Sequence, residues 1–199
     1  KKILEKAYEW INDNQKVVMI TVVETWGSSP KPIGSKMIVN KNKEFFGSVS
    51  GGCIESFIIQ ESSKIIKKKK LFEIKKFKVS NENAWDVGLS CGGDITVYLE
   101  QINSKDKIFH QIIQKRKNKL EFALLKNLST GENEIFEKGK PLNKNFEKFK
   151  DKIDFIYTSK NNGIIKNSNI FVECYNNPIK IIIIGAVHIA QYLTDFAEK

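Results

Sequence analysis

Arginine is nearly absent from this 199-residue sequence. Arg116 is the single arginine among 33 basic residues, so the formal net charge of +10 is almost entirely lysine. That scarcity argues against a groove that reads nucleic acid, because base and phosphate recognition recruits the bidentate arginine fork. Asparagine and isoleucine are abundant beside the lysine, which points to compositional bias rather than selection for a phosphate-binding surface. No nucleic-acid partner is expected, and the lysine excess keeps a milder use, attraction of an anionic ligand or an acidic surface. Cysteine is scarce as well. Cys53, Cys91 and Cys174 are odd in number and form no CxxC pair, which excludes a disulfide framework and a zinc ribbon and fits reduced thiols in the cytoplasm. Long hydrophobic runs are missing. The longest, residues 179–184, is interrupted by Lys180 and falls far short of the ~20 residues a membrane span needs, so no membrane partner is expected. No signal peptide is visible, and the sequence opens on Lys1 rather than Met, so the natural start is expected to lie outside it.

What is present is globular. A hydrophobic fraction of 41% with 28% charged residues supplies a core and argues against wholesale disorder. Apolar residues at helical spacing predict helices over residues 2–12, 54–70 and 105–117. β-Branched or alternating runs predict strands over 17–24, 35–39, 45–49, 71–79, 94–100, 154–157 and 169–174, with a hairpin over 120–136 and a surface loop over 138–150. The 17–24 run is apolar throughout and reads as a strand buried on both faces. Residues 179–184, Gly185 and 186–199 then read as strand, tight turn and helix, the opening of a doubly wound α/β domain whose second strand is absent. The expected fold class is α/β: an α+β first domain over 1–177, with a mixed sheet and flanking helices, and an incomplete Rossmann-type domain over 178–199. The orphan strand–helix pair is expected to pack on the first domain or on a neighbouring chain, which predicts a homo-oligomer.

Chemistry concentrates in three glycine loops. Eight of the twelve glycines lie in the first half, at 27, 34, 47, 51, 52, 88, 92 and 93. Glycine clusters mark either tight turns or places where a ligand meets the backbone. Two loops carry a cysteine, Cys53 after Gly51-Gly52 and Cys91 before Gly92-Gly93. Cys53 precedes the predicted helix at 54, where the dipole favours both a thiolate and Glu55. A small buried thiol is the alternative for both cysteines, and the residues leave the two readings open. Cys174, with no glycine nearby, reads as a buried thiol.

These loops carry a resemblance. Residues 27–37 (GSSPKPIGSKM), 47–55 (GSVSGGCIE), 88–94 (GLSCGGD) and 184–191 (IGAVHIAQ), in that order, resemble the successive signatures of the XdhC/CoxI family. The resemblance implies a maturation factor that binds molybdenum cofactor and helps deliver it, in sulfurated form, to a molybdenum hydroxylase apo-enzyme such as xanthine dehydrogenase or carbon monoxide dehydrogenase. The resemblance also implies a cysteine desulfurase partner as the source of that sulfur. Carried onto this sequence, it implies cofactor contacts at Gly27, Ser28, Ser29, Lys31, Gly34, Gly51, Gly52, Cys53, Glu55, Cys91, Gly92, Gly93, Gly185 and His188, with Cys53 and Cys91 as metal or sulfur ligands. Glycine loops offer N–H donors to the cofactor phosphate, and a soft thiolate suits molybdenum or sulfur.

Two departures stand out. Lys31 occupies a position where the family often has arginine, which keeps the charge and loses the fork. Val187 replaces the second glycine of a dinucleotide fingerprint, which weighs against NAD(P). His188 either contacts a ligand or sits on the surface. The expected function is therefore a non-catalytic accessory protein. The alternatives are a sulfurtransferase with a persulfide on Cys53, a nucleotide-dependent oxidoreductase, or a docking module that holds no cofactor.

Overall fold

The computed structural model describes residues 2–27, 29, 31–52, 54–68, 70–77, 93–177, 181–185 and 187–197. The first helix, α1 (Lys2–Asn12), buries Leu4, Ala7, Trp10 and Ile11 on one face, as its spacing dictates. It is followed by β1 (Val17–Gly27), β2 (Lys36–Asn40), β3 (Phe45–Gly47), α2 (Glu55–Lys68), β4 (Phe72–Phe77) and β5 (Gly93–Ile102). These five strands form one sheet in the order β3-β2-β1-β5-β4. Then come α3 (Lys107–Lys117), β6 (Phe122–Asn127), β7 (Asn133–Phe136), α4 (Lys144–Glu147), α5 (Lys150–Thr158), β8 (Gly163–Ile164) and β9 (Ile170–Tyr175), and the four strands among them form a second sheet, β7-β6-β9-β8. The α+β class with flanking helices holds. Every described pairing is antiparallel, so two antiparallel sheets stand where one mixed sheet was expected.

The period-2 alternation of the strands explains how the layers stack. Val18, Ile20 and Val22 of β1, Met37 and Val39 of β2 and Ile95, Val97 and Leu99 of β5 pack on Ile58, Ile65 and Ile66 of α2. The opposite face of the same strands, with Val17, Met19, Ile38 and Ile102, meets α1, α3 and Phe122, Leu124 and Tyr175 of the second sheet. β1 is thus buried on both faces over its first seven residues, as its unbroken apolar run implies. The outer face of the second sheet, Ala123, Leu125, Ile170 and Val172, is covered by Phe146 of α4 and Ile153 of α5.

Three segments depart from expectation. Residues 138–150 include α4 rather than running wholly as a loop, and residues 154–157 lie in α5 rather than in a strand. Phe149, Ile153, Ile156 and Tyr157 recur at helical spacing and pack on one core, which overrides the β tendency of a short apolar run. The helix expected after Gly185 forms as α6 (His188–Ala197). Residues 181–184 carry no strand pairing, and Ile182 and Ile184 are 86% and 96% exposed. A strand exists only through hydrogen-bonded neighbours, and neither sheet reaches this segment. Among the described residues no helix is long and apolar enough to cross a membrane.

Candidate functional site

Charged side chains fall in phase with the inward-facing apolar ones on four strands. Lys36 alternates with Ile38, Glu100 with Ile102, Lys126 with Leu124, and Glu173 with Phe171 and Tyr175. All four are buried, and their strands face one another across the two sheets. Lys36 Nζ lies 2.8 Å from Glu173 Oε1 and donates to Thr21 Oγ1 at 2.9 Å. Lys126 pairs with Glu100 and sits over the Tyr98 ring, 5.6 Å from its centroid. One pair takes its cation from the first sheet and the other from the second, so the two bridges join the sheets in opposite senses. Burial pulls the Lys36 ammonium below its ordinary value, with Glu173 opposing that effect. Burial also pushes the Tyr175 hydroxyl well up, and the Glu173 charge adds to it. Desolvating such pairs is costly, so their contribution is alignment of the sheets more than stability.

A cleft of about 610 Å³ opens where this junction reaches the surface. Ile3 and Leu4 of α1, Lys31, Gly34, Ser35 and Lys36, Gly47 and Ser48, Arg116 of α3, and Cys174, Tyr175 and Asn176 at the end of β9 line it. Three cations and no carboxylate are among these residues. The size is that of a small-molecule site, typically ~300–1,000 Å³. Gly34 fixes one wall. Its N–H donates to Val22 O at 2.8 Å, and its φ of +91° is one that L side chains rarely adopt. A Cβ there would come within 2.1 Å of Asn162 Nδ2. Asn162 in turn donates to Ile33 O at 3.1 Å and accepts from the Cys174 N–H at 2.8 Å, so one amide staples the 31–35 loop to β9.

Beside the cleft, the second glycine loop closes around Glu55. Its carboxylate accepts from the backbone N–H of Val49, Ser50, Gly51 and Gly52 at 3.3, 2.9, 3.1 and 2.9 Å, and from the hydroxyls of Ser48 at 2.8 Å and of Ser50. Ser50 Oγ also accepts from the Ile54 N–H at the start of α2. Burial raises the Glu55 carboxyl, but the hydrogen bonds from Ser50 and Ser48 outweigh it and hold the group down at about 2. The donors expected to cradle a phosphate therefore point at an internal carboxylate. The φ of +127° at Gly52 allows its N–H to join them.

The sequence-predicted residues fall into distinct places. Lys31 and Gly34 line the cleft, and Gly51, Gly52 and Glu55 form the loop one hydroxyl away, at Ser48. Ser29 turns the loop between them, with its hydroxyl donating to Lys31 O at 3.0 Å. Gly27 lies instead at the far end of β1, opposite Gly93 in the β1–β5 register, so the first and third signatures meet there. Trp26, Asp94 and Thr96 line a smaller hollow of about 220 Å³ at that end. Gly185 and His188 line neither hollow, and the His188 ring packs edge-on against Tyr192. Ser28, Cys53, Cys91 and Gly92, and with them both proposed metal ligands, lie outside the described residues. Among the described residues no group of three or more His, Cys, Asp or Glu is arranged to hold a metal.

Lys36 and Ser48 lie inside the quoted signatures but, like Arg116 and Tyr175, were assigned no site role from the sequence. Lys36 left a visible signal, a lysine in phase with an apolar strand face, whereas Arg116 is set against the cleft only by the packing of α3. Cys174 lies at the cleft wall, and its thiol donates to Asn161 O at 3.1 Å. Burial, with the Glu173 charge adding, pushes this thiol up to about 11, which agrees with an inert cysteine.

Known proteins match this sequence and fold. Residues 10–75 match the model of the XdhC and CoxI family. The molybdenum cofactor insertion chaperone PaoD of Escherichia coli (strain K12) is 32% identical over 103 residues, 51% of this chain and 31% of that protein. A protein of Bacillus subtilis (strain 168) described as a probable xanthine dehydrogenase subunit is 25% identical over 105 residues, 52% of this chain and 32% of that protein. A crystal structure described as a xanthine dehydrogenase from Bacillus halodurans superposes with a TM-score of 0.63 at 20% identity, over 87% of this chain and 52% of that one, which shows a shared fold. The matched part thus spans about a third of the length of the curated relatives and about half of the solved one.

Proposed function

We propose that this chain, whose residues 10–75 match the model of the XdhC and CoxI family, is a molybdenum cofactor-binding accessory factor that helps insert the cofactor into a molybdenum hydroxylase. The observation that carries the proposal is the convergence of the first signature, at Lys31, Gly34 and Ser35, and the start of the second, at Gly47 and Ser48, on one cationic cleft. The cargo is a pterin with a dithiolene and a phosphate. The cationic lining suits an anionic cargo, and Ile3, Leu4 and Tyr175 supply an apolar wall for its ring system. Glu55 acts on the protein rather than on the cargo, because its carboxylate fixes the loop that carries Cys53.

In this reading the cofactor is delivered in sulfurated form, with a cysteine desulfurase as sulfur source and Cys53 and Cys91 as the ligands of molybdenum or sulfur. Residues 1–177 act as the cofactor domain in the cytoplasm, and residues 178–199 open a nucleotide-binding-type domain without NAD(P). The apolar face of α6, with Ile189 and Leu193 exposed, supports association with a second copy.

The test is transfer. The chain loaded with molybdenum cofactor is mixed with a cofactor-free molybdenum hydroxylase, and activity is followed. Activation faster than by free cofactor supports insertion. No activation, with cofactor retained on the chain, contradicts it. A Cys53→Ala, Cys91→Ala double variant that binds and transfers normally removes the thiols from the mechanism. A monomer in light scattering would contradict the association.

A further inference from the structure

We propose that Arg116 and Lys31 form an oxyanion clamp in the cleft, specific for a phosphomonoester, with Arg116 setting the preference. This rests on the reading of the cleft as the cargo site and adds to it the residue that anchors the anionic end. The cleft's three cations are not equivalent. Lys36 is spent, since its ammonium is held between Glu173 and Thr21 inside the sheet junction. Lys31 is half-buried, and its ammonium has no hydrogen bond or ion pair among the described residues. Arg116 is anchored but not used up. Nη1 donates to Asn176 O at 2.9 Å, and the guanidinium carbon lies 6.0 Å from the centroid of the Tyr175 ring. A guanidinium carries five N–H donors in a rigid fork, so these contacts hold its plane while leaving donors for an oxyanion.

Its neighbours sharpen the contrast. Lys115, one residue earlier in the last turn of α3, is paired with Glu137 at 2.9 Å, and Lys117 is exposed. Either lysine would serve the helix dipole as well as Arg116 does. Arg116 is the residue of that turn that also reaches the cleft, and it is the only arginine in a chain otherwise given wholly to lysine. The ligand class follows from the surroundings. With no carboxylate in the lining, an anion is favoured. The apolar side chains of Ile3, Leu4 and Tyr175 beside the cations suit a dianion carried on an apolar body.

A single arginine yields a single Nε–Hε resonance, which reports directly on this side chain. The full 199-residue chain is titrated with inorganic phosphate at fixed ionic strength. The expected result is a saturable shift of that resonance. Arg116→Lys, which keeps the charge and loses the fork, weakens phosphate binding about tenfold, the worth of roughly one charge-assisted hydrogen bond. Lys31→Met weakens it by a similar factor, and Lys138→Met, which removes an exposed lysine, leaves it unchanged. The thermal midpoint of each variant separates lost binding from lost folding. An Arg116 resonance that phosphate does not move, or variants of Arg116 and Lys138 that weaken binding equally, overturns the clamp. Molybdenum cofactor that binds the wild type and the Arg116→Lys variant alike would refute the clamp and leave the carrier reading standing. Saturable phosphate binding without cofactor binding would do the reverse.

Discussion

Replacing Glu55 by Gln removes one charge from the centre of the second glycine loop while keeping the shape of the side chain. Glu55 accepts four backbone N–H groups and two hydroxyls, and at 7% exposure it is shielded from solvent. Those bonds take its carboxyl from an ordinary 4.5 down to about 2. At about 1.4 kcal/mol per tenfold change in proton affinity, that gap corresponds to about 3 kcal/mol in favour of the ionised form. Allowing for water reaching the rim of the loop at Gly51 and Gly52, about 2–3 kcal/mol remains.

The sign follows from linkage. A depressed carboxyl contributes stability that is complete above the unfolded value near 4.5 and disappears as pH falls towards 2. Urea unfolding of the wild type and of Glu55→Gln should therefore differ by about 2–3 kcal/mol at pH 7, with the difference closing between about pH 4.5 and pH 2. The other carboxylates are common to both proteins and cancel in the difference. A variant within about 0.5 kcal/mol of wild type at pH 7, or a difference that does not change with pH, would refute the assignment of Glu55 as the anchor of the loop.

Other consequences are as definite. Lys36→Met leaves Glu173 buried without its cation and should cost about 3–5 kcal/mol by chemical denaturation, whereas pairing it with Glu173→Leu should recover most of that loss; a double variant whose cost equals the sum of the two single variants would mean that the charges are not coupled. Gly34→Ala places a Cβ against the Asn162 amide at a φ of +91° and should destabilise by about 2–4 kcal/mol, with Asn162→Ala partly additive to it. A neutral change at Gly34 would dissolve the staple between the loop and β9. Cys174 should be alkylated slowly at pH 8 in peptide-resolved mass spectrometry, because its thiol is pushed up to about 11. Rapid labelling there would show that the half-buried thiol is not held by its bond to Asn161 O as the structure has it.

The elements of the first half were legible because each signalled itself locally. α1 and α2 carry apolar stripes, β1 is an unbroken β-branched run, and the hairpin of β2 and β3 has a polar turn. Residues 154–157 read as a strand because a short apolar run has no decisive period, and only the core beneath it selects a helix. The glycine loops were found, but not what they hold. That Gly51 and Gly52 face Glu55 depends on a loop geometry that no residue count reveals. Arg116 and Lys31 are 85 positions apart in sequence. Only the packing of α3 on α1 and β7, with Arg116 bonded to Asn176 just past β9, brings them to the same cleft. Gly27 and Gly93 meet for a similar reason, because β1 and β5 pair along their whole length and end together.

The most direct test is equilibrium binding of isolated molybdenum cofactor to the intact chain, compared with a Lys31→Met, Arg116→Met double variant of wild-type thermal stability. Saturable binding of one cofactor per chain is expected, lost in the variant and competed by inorganic phosphate. Failure of the intact chain to bind, or binding that the variant retains in full, would contradict the assignment of the cleft as the cofactor site.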